Sequence, residues 1–325
     1  MRRTTTIFIA LGIAVLLLFV ADLCVGAVRI PLPQILTALA GGDCPPHVAK
    51  IVVDIRLVKA LVALLAGMAL SVSGLQMQTL FRNPLAGPYV LGISSGAGLG
   101  VALVVLAGVA SPVGLAGAAW IGSALVLVVI AAVAQRVRDI MVLLILGMMF
   151  SSGVSAVVQI LQYLSDEESL KTFVVWTMGS LGDVTARRLA VLVPAVLAGL
   201  AIAVATVKAL NLLLFGEEYA VTMGLDLRRS RALIFLSTTL LAGTVTAFCG
   251  PIGFIGLAMP HVARMLVRDS DHRVLLPATA LAGAAVLLLC DIVSKQFVLP
   301  VNAISALLGI PVVVWVVLKN KSLTQ

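Results

Sequence analysis

The sequence predicts an all-α polytopic membrane protein with ten transmembrane helices, and three observations support this fold class. Of the 325 residues, 61% are hydrophobic and 11% are charged, whereas a soluble domain carries about 25% charged residues. Apolar runs recur along the whole chain, and about 20 apolar residues cross a bilayer as a helix. The sequence lacks the alternating polarity, over about ten-residue segments, that is typical of a transmembrane β-barrel. Each span therefore satisfies its backbone hydrogen bonds as a helix.

Short glycine, proline or charged breaks divide the apolar runs into ten spans. In chain order the predicted spans cover residues 7–28, 56–80, 88–107, 113–134, 141–163, 189–209, 231–249, 253–268, 274–296 and 303–318. The stretch 165–188 is too polar to cross a membrane, and a short interfacial helix is expected over 170–178. The first span follows Arg2 and Arg3 as in a signal peptide, but no convincing cleavage site follows it, so it is expected to be retained.

Basic residues orient the spans, because Lys and Arg accumulate in cytoplasmic segments. With the N-terminus inside, the inner segments hold fourteen basic residues and the outer segments eight, so both termini are expected in the cytoplasm. The inner set is Arg2, Arg3, Arg82, Arg136, Arg138, Lys208, Arg228, Arg229, Arg231, Arg264, Arg268, Arg273, Lys319 and Lys321. The outer set is Arg29, Lys50, Arg56, Lys59, Lys171, Arg187, Arg188 and Lys295. Eight is more than the rule predicts, which indicates a second role for some of them.

Small residues at every fourth position predict close helix packing in three spans. The three sets are Ala63, Gly67 and Ser71; Gly92, Gly96 and Gly100; and Gly114, Ala118 and Gly122. Such faces let helix backbones approach each other inside a bilayer, where no hydrophobic force drives helices together.

An internal repeat is visible at an offset of 176 residues. Leu65, Ala66, Gly67, Gly74 and Pro84 match Leu241, Ala242, Gly243, Gly250 and Pro260. In the predicted topology the two stretches run in opposite directions, so they form an inverted repeat, an arrangement that several transporter folds share.

Two interruptions of the apolar pattern contain residues that break helices. Asn83 and Pro84 separate two spans, because proline cannot continue a helix and disfavours helical backbone in the residue before it. On these residues alone, a tight cytoplasmic turn is the favoured interpretation. Four helix breakers precede Pro260 and His261, namely Gly250, Pro251, Gly253 and Gly256. Broken helices persist in a membrane only where protein or a cavity satisfies the backbone.

A third interruption, 215–231, is the most polar inner segment. It is expected to form two short helices that meet at Gly224, where glycine permits a left-handed turn. A structured, charged inner loop suits docking of a soluble partner. A solvated loop with orienting arginines fits this segment equally well.

Other functional classes fit the sequence poorly. Cys24, Cys44, Cys249 and Cys290 have no metal-ligand spacing, the three histidines are scattered, and no basic run interleaved with aromatics suits a nucleic acid. An intramembrane enzyme needs paired carboxylates or a nucleophile–histidine pair within spans, and an ion-coupled carrier needs mid-membrane carboxylates. The predicted spans supply neither.

Several motifs in order resemble the permeases of the BtuC/FecCD type of ABC importer, which carry vitamin B12, iron–siderophores and haem. The resemblance covers about 30–318. Its marks are RNPLAGPYVLGISSGAG (82–98), WTMGS (176–180), EEYAVTMGLD (217–226), GPIGFIGLAMPHVAR (250–264), DHRVLLP (271–277) and GIP (309–311). The resemblance implies one permease domain, 1–325, with 215–231 as a cytoplasmic coupling loop.

The resemblance also implies partners. Two permease subunits, expected as a homodimer, work with two ATP-binding subunits and a periplasmic or lipid-anchored binding protein in the cytoplasmic membrane of a bacterium. No lysine in this sequence follows a glycine, so it has no GxxxxGK[ST] phosphate loop. The chain is therefore expected to bind no cofactor and to leave ATP hydrolysis to its partner. Iron–siderophore or haem is the expected cargo, and cobalamin is the alternative.

Site residues follow from the same resemblance. The coupling loop contributes Glu217, Glu218, Gly224, Leu225 and Asp226, and the inner gate contributes Asn83 and Leu85. The cations expected to pair with glutamates of the binding protein are Arg56, Lys59 and Lys295. Snorkelling to the membrane interface is the alternative role of each cation. Lys295 lies four residues after Asp291, so an i,i+4 ion pair is expected to hold it.

Overall fold

A computed structural model describes residues 2–109, 111, 113–137 and 139–321, and every regular element within them is helical. The α-helices are α1 (Arg2–Cys24), α2 (Leu32–Leu39), α3 (Pro46–Lys50), α4 (Val58–Leu80), α5 (Ile93–Val105), α6 (Gly114–Arg136), α7 (Ile140–Leu164), α8 (Glu167–Thr177), α9 (Ala186–Ala205), α10 (Val207–Leu213), α11 (Glu217–Thr222), α12 (Leu227–Thr238), α13 (Thr244–Cys249), α14 (Ile255–Val267), α15 (His272–Phe297) and α16 (Val301–Lys321). A π-helical segment, Ile51–Leu57, joins α3 to α4, and another, Thr239–Gly243, joins α12 to α13. Arg138, counted above among the inner cations, lies outside the described residues.

The predicted all-helical membrane fold is confirmed, and the helices can be assigned to the ten predicted spans. The spans are α1, α4, α5, α6, α7, α9, the continuous helix Leu227–Cys249 that contains α12 and α13, α14, α15 and α16. Six of them are long and apolar enough to cross a membrane, namely α1, α6, α7, α9, Leu227–Cys249 and α15, and α5, α14 and α16 contribute shorter apolar helices. Helix α4 has 23 residues, about 35 Å at 1.5 Å per residue. The expected interfacial helix is also present, as α8.

Side-chain caps fix where several helices begin. The carboxylates of Asp139, Asp166, Asp226 and Asp271 and the hydroxyl of Thr185 accept hydrogen bonds from backbone N–H groups in the first turns of α7, α8, α12, α15 and α9. The first N–H groups of a helix have no partner within the helix, so such a cap stabilises its start.

Helix α4 lies at the centre of the fold, and nearly all of its residues are buried. A side chain on Gly67 would collide with the backbone of Gly283 in α15, and one on Gly74 would collide with the carbonyl of Gly256 in α14. The glycines therefore let α4 touch two neighbouring helices backbone to backbone, as the small-residue pattern predicts.

The other small-residue faces pack against each other. A side chain on Gly96 or Gly100 of α5 would collide with the backbone of Gly122 or Ala118 of α6. The predicted close packing is confirmed for Gly96, Gly100, Ala118 and Gly122. It is not seen at Gly114, which begins α6 with a φ of 67° and where a side chain would meet no atom of the described residues within 4 Å. Gly92 has a different role, because it precedes α5 with a φ of 81° and so turns the chain.

The repeat pairs residues whose local structures differ. Gly74 lies within α4, whereas Gly250, with a φ of 73°, ends α13. Pro84 lies in a turn, whereas Pro260 lies inside α14. The two stretches nevertheless meet, because α4 crosses α14 where Gly74 faces Gly256.

The broken stretch after Cys249 is held by other parts of the chain. The N–H of Gly253 donates to Asn302 Oδ1 at 2.9 Å, and its carbonyl accepts from Ser305 Oγ at 3.0 Å. The N–H of Ser180 donates to the carbonyl of Cys249 at 2.7 Å. Protein groups thus satisfy this irregular backbone, which is the condition for a broken helix inside a membrane.

Candidate functional site

The turn that follows α4 presents a leucine from a rigid backbone. The turn, residues 81–92, contains Arg82 in a left-handed conformation with a φ of 48°. Asn83 Oδ1 accepts a hydrogen bond from the N–H of Leu85 at 2.9 Å, and the carbonyl of Asn83 accepts from the N–H of Ala86 at 3.0 Å. The side chain of Leu85 is 47% exposed. We call residues 81–92 the gate turn.

The segment 215–231 forms two short helices that meet at Gly224, as predicted. Helix α11 ends at Thr222, Gly224 adopts a φ of 83°, and Asp226 caps α12 by accepting from the N–H of Arg229 at 3.0 Å. Arg231 Nη2 lies 2.7 Å from each carboxylate oxygen of Glu217. Glu217 and Asp226 therefore stabilise the shape of residues 215–231, which we call the coupling segment.

The solvent-exposed face of the coupling segment is largely apolar. Phe215, Tyr219, Val221 and Met223 are exposed beside Glu218, and the rings of Phe215 and Tyr219 lie 5.4 Å apart between centroids. Exposed apolar patches with polar rims mark protein contact sites. A solvated loop has no need of such a face, so docking of a partner is the better interpretation of this segment.

One buried cluster joins the gate turn to the coupling segment. Phe81 and Ala86 of the gate turn pack in it with Leu213, Ala220 and Phe235, and Leu225 packs against its edge. We call this the inner apolar cluster. A cleft of about 650 Å³ lies beside it, lined by Phe81, Arg82, 139–141 and 215–219. The gate turn and the coupling segment are thus neighbours, and close packing transmits strain between them.

Buried polar side chains hold the last turns of α4. Gln78 Nε2 donates to the carbonyl of Leu257 at 3.0 Å, and Gln78 Oε1 accepts from Arg264 Nη1 at 2.7 Å. His261 Nε2 lies 2.8 Å from the carbonyl of Pro84. A carbonyl only accepts, so His261 carries its proton on Nε2. Helix α14 is therefore tied both to α4 and to the gate turn.

Thr79 is tied to another part of the chain. Its Oγ1 lies 2.8 Å from Nε2 of the buried His272, whose Nδ1 lies 2.7 Å from Asn211 Oδ1. Asn211 Nδ2 donates to Asp271 Oδ1 at 2.6 Å. The backbone N–H of Arg273 and the side-chain amide of Asn211 hold the pKa of Asp271 below its ordinary value.

Sequence reasoning missed these polar ties. It treated the three histidines as scattered, because His261 and His272 have no partner nearby in sequence. The available signal was Gln76, Gln78 and Thr79 within an otherwise apolar span, since buried polar groups in a bilayer require hydrogen-bond partners.

The three cations predicted for docking lie at the other end of α4 and bond within the chain. Arg56 is 4% exposed, and its guanidinium donates to the carbonyls of Leu23 at 2.8 Å, Cys24 at 3.2 Å and Val28. Arg56 therefore holds the end of α1.

Lys59 and Lys295 share a carboxylate. Asp291 Oδ1 lies 3.1 Å from Lys59 Nζ, and Asp291 Oδ2 lies 2.9 Å from Lys295 Nζ, which confirms the i,i+4 pair. Lys295 Nζ also lies 2.8 Å from Asp22 Oδ2. The side chain of Lys59 is 20% exposed and both carboxylates are buried. These four residues form what we call the outer ion cluster, which ties α1, α4 and α15 together.

Comparison with known proteins identifies the chain. The sequence profile of the FecCD transport family matches residues 14–319. The chain belongs to this family. The permease is thus a multi-pass membrane protein of the ABC transporter class, and the resemblance seen in its motifs is confirmed.

Relatives along most of the chain agree. The permease is 38% identical over 278 residues to the hemin transport system permease protein HmuU of Yersinia pestis, covering 82% of this chain and 83% of that one. It is 36% identical over 326 residues to the vitamin B12 import system permease protein BtuC of Salmonella typhi, covering 98% and 97%.

A solved structure shares the fold. It is described as an inward-facing conformation of a metal-chelate type ABC transporter, and it aligns with a TM-score of 0.85 at 30% identity. The alignment covers 97% of this chain and 99% of the other.

Proposed function

We propose that two copies of this permease enclose the pathway of an ATP-driven importer in the cytoplasmic membrane of a bacterium, with both termini in the cytoplasm. Two ATP-binding subunits on separate chains hydrolyse ATP, and a periplasmic or lipid-anchored binding protein delivers the cargo. The permease itself performs no chemistry. Its work is to open and close the pathway.

The observation that carries this proposal is the packing of the gate turn against the coupling segment. Phe81 and Ala220 lie in the same inner apolar cluster. A force that an ATPase applies to Tyr219 or Met223 therefore reaches the turn that holds Asn83 and Leu85. We assign Glu218 and Leu225, together with Tyr219 and Met223, to contact with the ATPase. Glu217, Gly224 and Asp226 are assigned to maintaining the conformation of the coupling segment.

Iron–siderophore or haem complexes are the proposed cargo, and the hemin permease among the relatives supports this choice. Cobalamin is the alternative, which the vitamin B12 relative supports. Both proposals share one mechanism, because a large chelate needs a wide pathway that binds it weakly.

Docking of the binding protein is proposed at the outer ion cluster. Lys59 keeps part of its side chain exposed. A carboxylate of the binding protein can therefore approach the Lys59 ammonium, which then pairs with that carboxylate and with Asp291. Arg56 and Lys295 complete the proposed docking set, and their internal bonds hold the surface around Lys59. Charge pairs of this kind set orientation and association rate more than affinity.

Reconstitution tests the proposal. The permease, its ATPase and its binding protein are placed in proteoliposomes, and uptake of haem, a ferric siderophore and cobalamin is measured with and without ATP. ATP-dependent uptake of one of the first two is expected. Uptake of cobalamin alone would favour the alternative cargo, and no uptake of any of the three would overturn the proposal.

Charge reversal tests the docking site. K59E is expected to weaken docking of the binding protein. Because the new carboxylate also lies beside the buried Asp291 and lowers stability, docking is measured as the amount of binding protein that co-purifies per ATPase-bound permease. The matched control is K50E, because Lys50 is an exposed lysine of the same outer segment with no assigned docking role. Equal docking by K59E and K50E would remove Lys59 from the site.

A further inference from the structure

The hydrogen bonds around Thr79 form one directed chain. Asp271 accepts from the amide of Asn211, which leaves Asn211 Oδ1 to face His272 Nδ1. An amide oxygen only accepts, so His272 carries its proton on Nδ1, and Nε2 is left to accept from the hydroxyl of Thr79. Every member has a defined role, and breaking the Thr79–His272 or His272–Asn211 link leaves the buried His272 without one of its ring partners. We call these four residues the relay.

The relay connects the elements on either side of the gate turn. Thr79 lies in the last turn of α4, directly before the gate turn begins at Phe81. Asn211 lies on α10, which leads directly into the coupling segment. Leu210 and Leu213 of α10 pack in the inner apolar cluster. A displacement of the coupling segment therefore moves Asn211, and the relay passes the displacement to Thr79.

The far side of the gate turn has a separate anchor. His261 of α14 donates to the carbonyl of Pro84, and Arg264 of α14 donates to Gln78. Helix α14 begins 28 residues after the start of α12, and it contains no member of the relay. The gate turn is thus tied to α10 and α15 through Thr79, and to α14 through Pro84 within the turn and through Gln78 beside Thr79. Movement of α10 and α15 relative to α14 therefore changes the orientation of Leu85.

We propose that Thr79, His272, Asn211 and Asp271 are positioning residues that transmit movement of the coupling segment to the gate turn. This inference rests on the proposed function, because it requires an ATPase that moves the coupling segment. Buried hydrogen bonds suit the task, since in low dielectric they are costly to break and fix one geometry.

A cysteine at position 85 reports gate movement without any cargo. L85C is introduced after Cys24, Cys44, Cys249 and Cys290, the four native cysteines, are replaced by alanine. The permease is assembled with its ATPase subunits, and the rate of maleimide labelling is measured with and without ATP and orthovanadate. The ATP-dependent change in that rate is the readout.

Matched substitutions separate the relay from general packing. T79V removes the hydroxyl and keeps the shape of the side chain, whereas T79S keeps the hydroxyl. T279V makes the same change at a buried threonine of α15 whose hydroxyl has no hydrogen-bond partner within the described chain. N211L breaks the relay at its other end.

T79V and N211L are expected to reduce the ATP-dependent change in labelling by about fivefold, the lower end of typical coupling between linked sites. T79S and T279V are expected to retain it. A wild-type response in T79V and N211L would overturn the relay. So would failure of both to assemble while T279V assembles, because the relay would then be a stability element. No ATP-dependent change in the L85C parent itself would instead overturn the proposed function.

Discussion

At the residue scale, the outer ion cluster concentrates charge in a region that excludes most water. Asp22 and Asp291 are fully buried, and Lys59 and Lys295 neutralise them. Taking four charges out of water is costly, and their mutual attraction offsets the cost only while all of them are present. The cluster is therefore sensitive to the loss of any one member.

D291N tests this sensitivity. Asparagine keeps the size of the side chain, but it removes the carboxylate that Lys59 and Lys295 share and leaves Asp22 as the one anion of the cluster, so a loss of about 3–5 kcal/mol in the free energy of unfolding is expected. The control is D54N at an exposed aspartate, for which a change within about 0.5 kcal/mol is expected. Denaturant unfolding in detergent measures both. Equal stability of the two variants would contradict the account.

Gly74 tests the crossing of α4 and α14. G74A places a methyl group against the carbonyl of Gly256, and such overpacking costs about 1–3 kcal/mol. The control is G98A, because a side chain on Gly98 of α5 meets nothing within 4 Å. A lower midpoint of thermal unfolding is expected for G74A alone. Were G98A to fall as far, lost helix flexibility rather than collision would be the cause.

At the element scale, different residues of the coupling segment maintain its conformation and form its exposed contact face. Glu217 and Asp226 bond within the segment, whereas Tyr219 and Met223 face outward. Apolar side chains at the centre of an interface dominate its affinity. The exposed face of α11 is therefore where ATPase binding is most sensitive to substitution.

M223D puts a charge on that face, where Met223 is 59% exposed. The affinity for the ATPase is expected to fall about tenfold or more, equal to about 1.4 kcal/mol, because the charge loses water on docking. Co-purification of the ATPase measures the effect. V53D is the control, since Val53 is exposed beyond the opposite end of α4. Normal ATPase binding by M223D would exclude this face from the interface.

Elements differ in how far sequence predicts them. The turn at Gly224 and the interfacial helix α8 were predictable, because their signals are local. Helices α2 and α3 were missed, although Pro33 and Pro46 lie in their first two positions, where proline is typical of helix starts. The break at Thr206 between α9 and α10 leaves no glycine or proline signal.

At the scale of the whole molecule, hydrophobicity predicted the number of spans but not which ones form the centre. Helix α4 is more polar at its inner end than α1, yet α4 is buried and α1 is largely exposed. Its place follows from contacts with residues far away in sequence, such as Gly256, His261 and His272. Periodicity within one span carries no information about such partners.

For the candidate site, the family resemblance named two stretches of the chain that the structure brings together. Phe81 and Ala86, on either side of Asn83 and Leu85, pack in one cluster with Ala220 of the coupling segment. The pair of Lys295 with Asp291 was predictable from its i,i+4 spacing, whereas the Asp22 partner of Lys295 and the carbonyl partners of Arg56 were not. Those missed partners lie on α1 or directly after it, and only the folded structure brings α1 to Arg56 and Lys295.

Orientation is testable with two single cysteines in the cysteine-free background. V298C lies in a loop where Val298 is 90% exposed, and Y219C lies on the coupling segment. A membrane-impermeant maleimide is expected to label V298C in intact spheroplasts and Y219C only after permeabilisation, as the distribution of basic residues predicts. The reverse pattern would place both termini outside.

The glycine contacts of α4 have a consequence for biosynthesis. Gly67 meets Gly283, and Gly74 meets Gly256, so α4 cannot complete its packing until α14 and α15 have been made. The chain between Gly67 and Gly283 takes roughly 10 to 40 seconds to synthesise at about 5–20 residues per second. Throughout that interval Gln76, Gln78 and Thr79 remain in the membrane without the hydrogen-bond partners of the folded protein. A helix that is nearly all buried in the folded protein is thus exposed, in the nascent chain, to membrane proteases and to quality control.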